Sequence, residues 1–169
     1  MRKILNFPDG EGQAEDGWCG PNLMRQVILY KNGLYIPEKE LVNIGCCSIK
    51  GGTNIKNMSK IANTFNLNHY TKNNSSIDDL RHAINEDNPI ILLIQAWPGK
   101  KVKDWVNTWD NGHYIGAFGY DDKKDKLFYY DPCGGKTKDI SYKNLEERWH
   151  DVNFKTGEVY KNFGMFFRN

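Results

Sequence analysis

Five branched aliphatic residues in succession, Ile90-Ile91-Leu92-Leu93-Ile94, stand between Pro89 and Gln95 with no polar residue to break the run. A segment this short and continuously apolar reads as a strand covered on both faces, and a proline at its head suits a strand start. The chain must therefore lay apolar surface on both sides of a sheet. Its 169 residues, 39% of them hydrophobic and 13% aromatic, suffice for that and for one compact domain, 1–169. The same run is far shorter than the ~20 apolar residues of a membrane-crossing helix, so no membrane segment is expected.

The patterns on either side of this strand differ. Before it, helical spacing dominates. Pro21 suits a first helical turn, and Leu23, Met24, Val27 and Ile28 follow at helical intervals to Tyr30, with Asn32-Gly33 as the stop. Pro37 opens a short second helix. Thr53 or Asn54 can cap a third that carries Ile55, Met58, Ile61, Ala62 and Phe65 on one stripe. Ser76 with Asp79 three residues on forms a capping-box pattern for a fourth. After the apolar run, Gly112–Tyr120 and Lys126–Asp131 read as strands of an antiparallel hairpin joined by the polar turn 121–125. Residues 141–149 read as a short helix and Gly164–Phe167 as a last strand. Helices first and an antiparallel sheet second predict an α+β fold with a helical lobe at about 13–86 and a sheet lobe at about 89–169. A cleft between lobes is where chemistry is expected.

Charge and cysteine content narrow the function classes. Lys and Arg total 23 against 21 Asp and Glu, a net +2 spread along the chain, without the basic face that a nucleic-acid partner needs. Met1-Arg2-Lys3 leads into only Ile4 and Leu5 before Asn6, which is no secretory core, so a cytoplasmic location is expected. The four cysteines contain no C-x-x-C pair and read as free thiols. No cofactor motif or metal-ligand spacing is present, and none is expected to be needed.

Cys19, in Gly17-Trp18-Cys19-Gly20-Pro21, stands at the start of the first helix. Free N–H groups and the helix dipole favour the thiolate there, although a buried packing cysteine also suits such a position. Gln13, six residues earlier, can bring an amide over the sulfur as an oxyanion donor beside a main-chain N–H. His113 opens a predicted strand and can serve a thiol as general base. Asp131 ends the partner strand roughly opposite, where it can orient the imidazole, or simply open the turn at Pro132. Glutamine, cysteine, histidine and aspartate in this order point to thiol catalysis of acyl transfer.

These residues carry a resemblance that runs over nearly the whole chain. The sequence resembles the papain-like cysteine peptidases, and most closely the peptidase domain of bacteriocin-processing ABC transporters and its stand-alone relatives. Ile4–Pro8 looks like that family's opening strand, Gln13 and Cys19 match its glutamine and nucleophile, and Gly51-Gly52-Thr53 resembles the entry to its third helix. Pro89–Trp97 resembles its central strand, Gly112-His113-Tyr114 its histidine strand, and Asp131-Pro132 its last triad position. The resemblance implies a papain-like two-lobed fold, with Cys19 as nucleophile, His113 as base, Asp131 as orienter and Gln13 as oxyanion donor. It implies a peptide or protein substrate whose peptide or isopeptide bond is cleaved through an acyl-enzyme. A related acyl transferase would use the same chemistry, and a catalytically silent domain would bind peptide in the same groove.

Two features depart from the family pattern. Trp18 stands where the transporter-linked enzymes usually carry Asp. The stretch Trp97–Trp109 looks like an insertion before His113. With Trp18, its residues Trp97, Trp105 and Trp109 are candidates for a substrate-binding wall or lid, or a cover for the edge of the core.

Overall fold

The computed structural model describes residues 1–96 and 104–169. The first helix, α1 (Cys19–Asn32), buries Leu23, Met24, Val27 and Ile28 completely. It stops where Gly33 takes a left-handed conformation (φ 68°) and returns its N–H to the Leu29 carbonyl. Short α2 (Glu38–Ile44) follows, then α3 (Ile55–Thr64), capped by the Asn54 side chain on the Asn57 N–H. The Ser76–Asp79 capping box forms as read from the sequence and starts α4 (Ile77–Asn85).

Three strands from earlier or later in the chain belong to the same sheet as the apolar run, β3 (Ile90–Gln95). They are β1 (Arg2–Ile4), β2 (His69–Lys72) and β9 (Gly164–Phe167). The hairpin is β4 (Gly112–Asp121) with β5 (Lys126–Asp131), followed by β6 (Lys136–Ser141) and the helix α5 (Tyr142–Arg148). The sheet order is β2-β9-β3-β4-β5-β6, and every pair is antiparallel. Strand β1 takes over from β3 as the neighbour of β4 beyond Ala117. A separate ribbon, β7 (His150–Asn153) with β8 (Glu158–Lys161), packs by the ends of β3 and β4. This is an α+β architecture. All six residues of β3 are buried, as its composition requires.

The expected opening strand at 4–8 is displaced to Arg2–Ile4, and four strands, β2, β6, β7 and β8, appear where none was read. Strand β2 lies inside the segment read as helical, yet pairs with β9 at the sheet's edge. Helix α1 lies against β4 because Gly116 has no side chain: a Cβ there would sit 2.6 Å from Leu23 Cδ1. That close approach carries the first turn of α1 to the start of β4. Among the described residues, no helix is long and apolar enough to cross a membrane.

Candidate active site

Trp18 occupies the N-cap of α1 with no side-chain oxygen to spend on the helix, and no acidic residue enters the first turn. The helix therefore keeps its first N–H groups for another acceptor. The half-buried Cys19 Sγ uses this: the backbone N–H groups of Gly20 and Tyr114 point to it, and it hydrogen-bonds His113. Residues 18–20 of α1 and 112–114 of β4 thus meet around one sulfur.

His113 is almost fully buried (2% exposed), and its Nε2 lies 2.8 Å from Asp131 Oδ1. That leaves Nδ1 as the ring nitrogen for the sulfur. Asp131 is held on both oxygens: Oδ1 also accepts the Cys133 N–H at 2.9 Å, and Oδ2 accepts Lys138 Nζ at 2.6 Å. The pairing of His113 with Asp131 depends on an irregularity in β4. Gly119 pairs with Phe128 but Ala117 pairs with Tyr129, so Phe118 is an extra residue in the ladder. The shifted register continues through Gly116↔Tyr130 and brings Asp131 level with Ile115, two residues from His113 and on its side of the sheet. Were Phe118 paired in the ladder instead of bulged, the register would set Asp131 level with Gly116, facing away from His113.

The electrostatics favour an ion pair. Burial alone would push the Cys19 thiol up, but the His113 hydrogen bond and charge, with the two backbone N–H groups, bring it below its ordinary value. Burial would pull the imidazole of His113 down, and the Asp131 and Cys19 partners outweigh it, raising it to about 9. Burial likewise works against the Asp131 carboxylate, yet His113 and Lys138 hold it below the usual range. The other shifted thiols move the opposite way: burial pushes up both Cys47 and Cys133. Limiting iodoacetamide near neutral pH is therefore expected to modify Cys19 ahead of Cys47 and Cys133. Peptide mapping that found either of those labelled first would refute the ion pair.

Cys19 and His113 open into a cavity of about 720 Å³ between the 46–57 segment and the β7–β8 ribbon. Gln13 lies outside it, in a smaller adjoining cavity of about 320 Å³ that shares Asp16 and Ile49. Its backbone N–H is fixed to the Pro132 carbonyl at 2.8 Å and its Nε2 donates to the Glu15 carbonyl at 2.9 Å. The Gln13 segment is strapped from several sides. The Glu11 carbonyl accepts from Asn22 Nδ2, Arg25 Nη2 and the Tyr130 hydroxyl, and the buried Glu38 accepts the Ala14 N–H.

Trp18, Trp105 and Trp109 are half-buried, and none borders either cavity; Trp105 stacks under the Arg148 guanidinium at 4.1 Å and Trp109 against the His150 ring at 4.3 Å. Trp97 lies outside the described residues. Sequence reasoning did not find Lys138, although the turn residues Pro132, Gly134 and Gly135 announce a strand that sets it beside Asp131. Cys46 is exposed and borders the larger cavity.

The model of the Peptidase C39-like family matches residues 5–156. A solved structure from Bacillus anthracis described as a C39-like peptidase superposes with a TM-score of 0.72 at 15% identity, covering 100% of this chain and 98% of that one. The peptidase domain of Streptococcus ComA, a bifunctional ABC transporter of a quorum-sensing pathway, gives 0.65 at 15% identity over 98% and 96%. A double-glycine motif protease from an AMS/PCAT transporter, solved with its leader peptide, gives 0.63 at 15% identity over 100% and 99%. No curated protein matches the chain.

Proposed function

The chain belongs to the Peptidase C39-like family, and from that premise we propose that it is a cysteine peptidase acting through Cys19, His113 and Asp131. One observation carries this reading: a continuous hydrogen-bonded chain, sulfur to imidazole to carboxylate, ends at the wall of an open cavity. The substrate class is peptide or protein. The double-glycine protease that shares the fold was solved with a leader peptide, which supports that class.

In this mechanism the thiolate of Cys19 attacks the carbonyl carbon of the scissile bond. Main-chain N–H donation at the start of α1 stabilises the oxyanion, and the Gln13 amide joins it by turning from the Glu15 carbonyl. The His113 imidazolium hands its proton to the leaving amine, and the S–C acyl bond forms as the C–N bond breaks. Water then attacks the acyl-enzyme, with neutral His113 accepting its proton, and Cys19 is released as thiolate. Asp131 holds the ring throughout and favours its charged form.

Turnover of a synthetic peptide library, read by mass spectrometry, tests the activity. A wild-type protein that cleaves no member while Cys19→Ala binds members equally well would be a peptide-binding domain instead. The pH profile should be a bell. Its acid limb reports formation of the thiolate and falls below the ordinary thiol value, and its basic limb reports loss of the imidazolium proton at about 9. Asp131→Asn keeps a hydrogen bond to the ring but removes the charge that raises it. The basic limb should therefore move to lower pH, with a rate loss smaller than that of Cys19→Ala or His113→Ala. A basic limb unmoved by this substitution would remove Asp131 from its role.

A further inference from the structure

The wall of the larger cavity opposite the 46–57 segment contains a carboxylate that the mechanism does not use. Asp151, the second residue of β7, is half-buried and borders the same cavity as Cys19 and His113. Its position is prepared by two neighbours. Gly112 makes the room, since a Cβ there would sit 2.3 Å from Asp151 Oδ2. Gln95, fully buried at the end of β3, donates from Nε2 to Asp151 Oδ1 at 2.9 Å and to the His150 carbonyl at 3.0 Å, while its Oε1 accepts the Asn111 N–H at 2.9 Å.

Burial of a carboxylate ordinarily demands a charged partner. Among the described residues, no Lys or Arg nitrogen lies within 4.0 Å of Asp151. Lys155 borders the cavity too, but its Nζ is turned to the far wall, 3.6 Å from where a Gly51 Cβ would be. Burial pushes the Asp151 carboxyl up, more than the Val152 N–H, Gln95 and His150 pull it back. The neighbouring His150 directs its Nε2 to the Thr108 carbonyl. At the mouth of the cavity, Ile49 and Phe154 are 56% and 75% exposed. Apolar lips over a carboxylate wall match a side chain with a long methylene stem and a cationic head.

We propose that Asp151 is a specificity-determining residue that receives the ammonium or guanidinium group of a Lys or Arg side chain in the bound peptide, with the stem lying against Ile49 and Phe154. This deepens the peptidase reading and rests on it. Gln95 and Gly112 act through Asp151 and are positioning residues.

The test uses a positional-scanning library of N-acetylated octapeptide amides in which Lys, or its uncharged near-isostere norleucine, is fixed at each position in turn. Wild type should cleave the Lys peptides faster than the norleucine peptides at one position relative to the cleaved bond, by about tenfold or more, the scale of one charge-assisted contact. Asp151→Asn can still accept the Gln95 hydrogen bond, and in it the ratio of Lys to norleucine rates should fall to about one. Equal rates for Lys and norleucine at every position in wild type, or a preference that survives in Asp151→Asn, would overturn the proposal. The wild-type comparison decides even if the variant does not fold. Should wild type cleave nothing, the peptidase reading fails by itself. Capture of the same library on Cys19→Ala then decides the Asp151 proposal: tighter retention of Lys peptides at one position upholds it, and equal retention ends it.

Discussion

Cys19→Ala is expected to lower turnover about 10⁶-fold, the scale on which removal of a nucleophile has been read in triad enzymes, with little change in peptide binding. The larger part of the expectation lies in the comparison with His113. The sulfur is drawn toward the thiolate largely by the imidazole that hydrogen-bonds it, so in the proposed mechanism the two groups are expected to act as one unit. His113→Ala alone should cost nearly as much as Cys19→Ala, and the double variant no more than either. Initial rates on any cleaved library peptide, measured for the two single variants and the double, would check this. Losses that multiplied in the double variant would mean that thiol and imidazole act independently, against the geometry of α1 and β4.

Gln13→Ala should cost about 2.7–4 kcal/mol of transition-state stabilisation, or roughly 10²–10³ in kcat, if its amide supplies one oxyanion donor. In the structure this amide donates to the Glu15 carbonyl, and Gln13 Oε1 is buried with no hydrogen-bond partner among the described residues. Such a group is already desolvated and loses little by turning toward a developing negative charge. The donor acts on the transition state, so kcat should fall with KM nearly constant. A Gln13→Ala variant with intact kcat and raised KM would make Gln13 a substrate contact instead.

Local chemistry made much of this molecule legible before any coordinates. The stop at Asn32-Gly33, the Ser76–Asp79 capping box and the β4–β5 hairpin were readable because each is decided by residues a few positions apart. The missed strands are short and carry polar residues on their open sides: β2 is His-Tyr-Thr-Lys, β6 begins Lys-Thr-Lys-Asp and β7 is His-Asp-Val-Asn. Their pairing is settled by distant partners, β9 for β2 and β5 for β6, so no local period announces them. At the site, Cys19, His113 and Asp131 were recognisable by residue type and context. Lys138 and Asp151 were not, since each lies on one of the unread strands. The displacement at Phe118 had one signal, the glycine that follows it inside a strand, and a lone glycine does not tell which neighbour is the extra residue.

That extra residue divides the 18 positions between His113 and Asp131 into a fixed part and a free part. From 113 to 119 and from 128 to 131, Phe118 itself excepted, insertion or deletion of one paired residue exchanges the two surfaces of a strand and separates His113 from Asp131. The turn 122–125 lies past the irregularity and can lengthen without moving either. Spacing between histidine and aspartate is thus a poor ruler for comparing chains built this way. What must be preserved is parity, an even number of ladder steps between the two residues, and a relative that lost it would need a compensating insertion on the opposite strand.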